Sequence, residues 1–169
     1  MDEDADMARD VPETLDPGGC CLAAWEFSLL YGLLDRVGRA TTLEEVFEVA
    51  LDVVNEALRV ERSAILLLDA EGVMRFRAWR GLSDRYRAAV EGHSPWTSEE
   101  PDPRPLVVPD AEEDPTLETY HPLFRDEGIR SLGFVPLRGD RGLLGKFMIY
   151  GAEPRTLGAD ELRLSLIHI

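Results

Sequence analysis

Between residues 60 and 80 the hydrophobic pattern of this chain changes period, and that change restricts its fold more than any other feature. From residue 42 to about residue 59 the apolar residues Val46, Phe47, Ala50, Val53, Val54, Ala57 and Leu58 recur at steps of three and four, the spacing of one helix face. Thr41 or Thr42 precedes this run and Glu45 lies three residues after Thr42, so a capping box can satisfy the first free amides of the helix. Then Ala64-Ile65-Leu66-Leu67-Leu68 forms an unbroken apolar run closed by Asp69-Ala70-Glu71-Gly72. That pattern reads as a buried strand and a hairpin turn, with residues 73–79 returning as a second strand.

The remaining segments extend the same alternation. Leu22, Trp25, Leu29, Leu30, Leu33, Leu34 and Val37 describe one face of a helix over residues 22–40, in which Leu30, Leu33, Val37 and Ala40 would suit a helix-helix seam. A short helix is expected over residues 83–92 with Ser83 as its cap. Residues 105–109 form a short strand whose two prolines confine it to an edge or terminus. A helix is expected over 114–128, with Pro115 in its first turn. Strands over 131–137 and 143–151 follow, joined by the turn residues 138–142, and a last helix begins at residue 156. Consecutive hairpins with helices between them predict an α+β fold, one antiparallel sheet with helices packed against it.

Charge excludes one class of partner. Thirty-three acidic residues against eighteen basic ones give a net charge of -15, which opposes a polyphosphate backbone, so no nucleic acid is expected as a partner. The acids concentrate over residues 1–24 and 99–127. Residues 1–21 combine acids with Pro and Gly and few apolar side chains, the composition of a disordered tail. No apolar run approaches the roughly 18 residues of a membrane span, and the acidic first residues do not resemble a targeting segment, which makes the cytoplasm the expected compartment. The final apolar stretch, residues 164–169, ends without a cap, which suggests a fragment or an unnatural end.

No catalytic or metal centre is expected. A P-loop at Gly145-Lys146 fails at Asp140 and at Phe147, and Gly139, Gly142 and Gly145 read as hairpin and strand glycines. His93, His121 and His168 have no ligand-type spacing, and Glu112-Glu113-Asp114 reads as a solvated acidic loop rather than a calcium loop. Cys20 and Cys21 are adjacent in the expected tail, too close for a disulfide framework. The set with most functional promise is Trp79, Arg80, Tyr86, Trp96, Tyr120, His121, Arg130 and Phe134. These residues can line an apolar cavity with a few polar anchors, as small-molecule sites do. The identity of any cofactor is left open.

Several segments together, TTLEEVFEVALDVVNEAL, SAILLLDAEGVMRFRAW, HSPW, RPLVVPDAEEDP, EGIRSLGFVPLRGDRGLLGKFMIYGAEPR and TLGADELRL, resemble a GAF domain over about residues 42–164. The resemblance implies a GAF/PAS-like α+β fold, a central antiparallel sheet of about five to six strands with helices on both faces, and a non-catalytic sensory module of the type found at the N-terminus of a sensor histidine kinase. It would comprise a tail over 1–21, a signalling and dimerisation helix over 22–40, and a domain over 41–169 cut short in its last helix. It implies an unidentified small-molecule ligand under residues 80–130, a homodimer through the end helices and a downstream effector domain. Other signalling outputs, such as a nucleotide cyclase, a cyclic-dinucleotide enzyme or a transcription activator, fit the same module. A redox enzyme using Cys20 and Cys21 and a ligand-free dimerisation module are the remaining alternatives. The Asn, Lys, Phe, Asp, Glu signature of the cyclic-nucleotide-binding members is not found, nor is a pocket cysteine for a bilin.

Overall fold

The computed structural model describes residues 31–97, 99–140 and 142–156. In chain order these form helical residues 31–37 (α1), α2 (Leu43–Leu58), β1 (Arg62–Leu68), β2 (Met74–Arg80) and α3 (Asp84–Val90). There follow β3 (Leu106–Val108), a 3-10 segment (Pro115–Tyr120), α4 (His121–Glu127), β4 (Ser131–Gly139) and β5 (Gly142–Gly151). The expected tail, residues 22–30 of the first helix, residues 157–169 of the last helix, Cys20, Cys21 and His168 lie outside the described residues. The five strands pair antiparallel in the order β2-β1-β5-β4-β3, with β5 in the centre.

Helix α2 starts where its capping residues dictate. Thr42 Oγ1 accepts from the Glu45 amide at 3.2 Å, and the Glu45 carboxylate accepts from the Thr41 amide at 2.6 Å and the Thr41 hydroxyl at 3.0 Å. The box therefore closes on Thr41, and these hydrogen bonds hold the Glu45 carboxyl below its ordinary pKa. Helix α2 covers one sheet face with Phe47, Ala50, Leu51, Val54 and Leu58, packed on Ile65, Ala78, Val135, Leu137, Phe147 and Ile149. Leu51, fully buried, was absent from the expected face, and the half-buried Val46 and Ala57 do not join this cluster.

The shorter helical segments cover the opposite face. Their core brings Tyr86, Ala111, Phe124 and Ile129 onto Ala64, Leu66, Leu132, Met148 and Tyr150. The single helix expected over 114–128 is in fact two pieces, the 3-10 segment and α4. Pro122 is the reason: it lacks an amide hydrogen and its ring would collide with the carbonyl four residues earlier, so an α-helix cannot run through it. No helix among the described residues is long and apolar enough to cross a membrane.

Strand pairing sets which side chain faces which layer, and two irregularities reset it. In β2 the partners of Ile65 and Leu66 are Ala78 and Phe76, so Arg77 is an extra residue, and Phe76 and Ala78 belong to opposite clusters. In β5 the partners of Leu137 and Arg138 are Gly145 and Leu143, which makes Leu144 the extra residue. Such bulges shift the alternation of all residues beyond them. Beside the second bulge, Gly145 approaches β1 so closely that a Cβ there would lie 2.1 Å from the Leu66 carbonyl oxygen and 2.9 Å from Leu67 Cα. Gly145→Ala is therefore expected to lose at least about 2 kcal/mol of stability, read as a lowered urea midpoint. An unchanged midpoint would contradict this packing of β5 on β1.

Candidate functional site

Between the sheet and the short helices lies a cavity of about 280 Å³ that opens to solvent. Alternation along the strands builds its floor: Leu66 from β1, Phe76 from β2, Leu132 and Phe134 from β4, and Lys146, Met148 and Tyr150 from β5. Residues two apart on a strand share a face, so the sequence KFMIY sends Lys146, Met148 and Tyr150 into the cavity and Phe147 and Ile149 against α2. The roof comes from Tyr86 and Val90 on α3, the loop His93-Ser94-Pro95, Leu117 and Tyr120 on the 3-10 segment, and Phe124 on α4.

The roof is an aromatic chain that continues into the floor. His93 meets Tyr120 at 5.5 Å between ring centroids, Tyr120 meets Phe124 at 6.1 Å, Phe124 meets Tyr86 at 6.4 Å and Tyr86 meets Tyr150 at 5.7 Å. Edge-to-face and tilted pairs at such distances attract beyond simple area burial. The Tyr150 hydroxyl donates to that of Tyr86, and burial first, with the nearby Glu127 carboxylate adding to it, raises both phenols above their ordinary pKa.

Lys146 is the exception in this lining. It is 4% exposed, and its Nζ donates to the His93 carbonyl oxygen at 2.5 Å, while the Phe134 ring centroid lies 5.6 Å away. No described carboxylate pairs with it, and burial alone lowers the ammonium pKa from 10.5 to about 8. Desolvation disfavours the charged form of a base in this way.

The eight residues expected at the site divide unevenly. Tyr86, Tyr120 and Phe134 line the cavity; Trp79, Arg80, Trp96, His121 and Arg130 do not. Trp79 sits at the sheet edge under the Arg87 guanidinium, 3.7 Å from its ring centroid, with Phe76 edge-on at 6.4 Å. Arg80 ion-pairs with Asp52 at 2.8 Å and with Glu48, both on α2, because neighbouring strand residues point to opposite faces. Trp96 packs half-buried against the cavity-side core, its amide donating to Ser94 Oγ at 3.2 Å. His121 Nε2 lies 3.2 Å from the Asp114 carbonyl oxygen. Arg130 donates through Nε and Nη2 to the two carboxylate oxygens of Asp110 at 3.2 and 2.6 Å, a pairing that holds the Asp110 carboxyl below its ordinary pKa. Both arginines thus have carboxylates of their own.

Lys146, His93, Ser94 and Pro95 were missed. The signal for Lys146 was present in the sequence, since lysine is rarely fully buried and here interrupts an apolar strand. Among the described residues no cluster of three His, Cys, Asp or Glu side chains is placed to hold a metal ion.

Comparison with known proteins places these features in context. The family described as GAF domain matches residues 42–166. Among solved structures, a domain assigned to a two-component sensor histidine kinase protein of Sinorhizobium meliloti 1021 is 39% identical over 76% of this chain and 86% of that one, with a TM-score of 0.64. The GAF domain of a phosphoenolpyruvate-protein phosphotransferase from Coxiella burnetii, 19% identical, matches over 87% and 90% with a TM-score of 0.68. The chromophore-binding domain of a bacteriophytochrome from R. palustris, 14% identical, matches over 86% and 60% with a TM-score of 0.62. The last two bear on the fold alone. No curated protein matches the chain.

The depressed amine makes a stability prediction. The folded-state pKa of Lys146, about 8, lies below its ordinary 10.5, so above about pH 8 the unfolded chain retains a proton that the folded chain has released. Stability due to this group therefore rises with pH from about 8 towards 10.5, and the cost of burying the ammonium is greatest below that window. Lys146→Met is expected to stabilise the domain at pH 7 by on the order of 2 kcal/mol. Urea unfolding between pH 7 and 9.5 should show a shallower rise for the variant than for the parent. A variant less stable than the parent at pH 7 would contradict this account of the site.

Proposed function

This chain belongs to the GAF family, and on that premise we propose that it is the input module of a bacterial sensor histidine kinase. In this reading it binds a small molecule between β5 and the short helices and acts on an attached effector through its end helices, without catalysing a reaction itself. The observation that carries the reading is the cavity of about 280 Å³, floored by the sheet and roofed by three short helical segments and a loop. Its walls are largely apolar with few polar groups, the usual make-up of small-molecule sites. The 39% identity to the S. meliloti domain supports the kinase context over the other signalling outputs. A roof built from short helices and loops has a lower cost of local opening than the sheet, so occupancy can bias two states of the domain by binding them unequally. In this reading the module works in the cytoplasm and pairs as a homodimer.

Two experiments test the two halves of this proposal. A thermal-shift screen of small metabolites on the purified chain is expected to yield a compound that stabilises the parent, by about 2.7 kcal/mol at a hundredfold excess over Kd. The same compound should have no effect on Leu117→Trp, which fills the cavity from the 3-10 segment. A library that shifts neither protein, or both equally, would remove the ligand-binding role. For the dimer, α1 exposes Tyr31 and Leu34, 67% and 61% accessible, while Leu33 is buried. Leu34→Glu should change monomer stability by no more than about 0.5 kcal/mol and convert a sedimenting dimer to monomer. A parent that sediments as a monomer at all concentrations would end the homodimer proposal.

A further inference from the structure

Lys146 is the chain's single lysine; the other seventeen basic residues are arginines. Among the described residues, arginines such as Arg75, Arg80, Arg85 and Arg138 pair with carboxylates at or near the surface. The lone lysine is instead 96% buried in the floor of the cavity, where it is the one fixed cation among the described lining residues. An ammonium has three donors. One goes to the His93 carbonyl oxygen, and the other two have no partner among the described residues. A buried charge without a counter-charge is costly, and replacing it by an apolar side chain would remove that cost. A partner that brings its own negative charge offsets it directly.

Resting on the reading of this cavity as a ligand site, we propose that it takes a monoanionic carboxylic acid with an apolar ring, its carboxylate on Lys146 Nζ and its ring against the aromatic wall of Phe76, Phe134 and Tyr120. The cavity dimensions set the size: about 280 Å³ lies just below the roughly 300–1,000 Å³ of sites for drug-sized ligands, which suits one ring or a fused pair. The charge sets the class. One cation balances one carboxylate, and a net charge of -15 on the chain disfavours nucleotides and other polyanions at long range. Lysine suits this position as a compact point charge, whereas an arginine fork is larger and demands several partners. Ser94 on the roof adds a further polar residue to the same lining. Because the ammonium also ties the His93 loop to the sheet, a carboxylate that shares it acts on the roof as well.

The test is calorimetric titration of the full chain at pH 7 with benzoate, phenylacetate, 4-hydroxybenzoate and indole-3-acetate, each beside its neutral amide. At least one acid is expected to bind the parent at least about tenfold more tightly than its amide, the scale of a hydrogen bond to a charged group. In Lys146→Met that preference should fall to within about threefold. Chain labelled with ¹³C-lysine keeps the question open to an answer even where the variant misfolds, because the sole lysine gives one side-chain signal. Its Cε resonance should move on adding the acid and stay in place on adding the amide. Equal binding of acid and amide, a preference that survives Lys146→Met, or a Cε signal unmoved by a bound acid would each overturn the proposal. If none of the acids binds while the metabolite screen yields a neutral or cationic ligand, the carboxylate proposal fails and the sensory reading stands. If the screen yields nothing either, both fail together.

Discussion

The contact of β5 with β1 at Gly145 is the constraint from which the rest of this structure follows. β5 is the central strand, paired along β1 on one side and β4 on the other, and it contributes to both hydrophobic layers. Phe147 and Ile149 join the cluster under α2, while Met148 and Tyr150 join the cluster under the short helices. The strand can serve both layers only if it sits in register with β1, and that register brings the Gly145 Cα against the Leu66 carbonyl. A side chain there would force the strands apart, and with them the floor of the cavity. The glycine thus serves close backbone approach rather than turn geometry.

The two faces of the sheet differ in what their burial accomplishes. Against α2 the packing is apolar and closed, with Leu51, Ile65, Phe147 and Val135 almost fully buried, and its contribution is stability. On the other face the covering elements are short and carry a proline where a helix would otherwise run through, so the layer does not fill. The space left is lined by rings and by one ammonium, whose burial opposes stability. A charge retained at that cost, where the other described lining residues carry no fixed charge, fits a role in recognition.

Arginine and lysine take different places in this chain for physical reasons. Several guanidiniums among the described residues pair with nearby carboxylates. Arg130 across both oxygens of Asp110 and Arg80 on the α2 acids are two of them. Such pairs at exposed sites contribute little net energy, but they occupy the arginines that composition alone offered as ligand anchors. Charge counting in the sequence therefore pointed to Arg80 and Arg130, while the structure leaves the cation in the cavity to a residue whose sequence neighbours are a glycine and a phenylalanine.

Local chemistry decided what could be read from the sequence. The period of α2, its Thr42 and Glu45 cap, the AILLL strand and DAEG turn, and the two-hairpin order with helices between depend on residues close in the chain, and they determined the α+β class and the family resemblance. Three aromatic residues of the cavity lining, Tyr86, Tyr120 and Phe134, were legible for the same reason, since large rings on amphipathic segments point inward. What required the tertiary structure were the phases and pairings. The bulge at Arg77 set Phe76 and Ala78 on opposite faces, and Trp79 and Arg80 went to opposite sides of one strand. Pro122 divided a helix that periodicity joined, and His93 came over Lys146 from fifty-three residues away. A bulge is an extra residue relative to a partner strand, and a salt bridge needs its partner's position, so neither is a property of the chain read along its length. The cavity belongs to the same class, because it is the space left between two layers and exists only once both are in place.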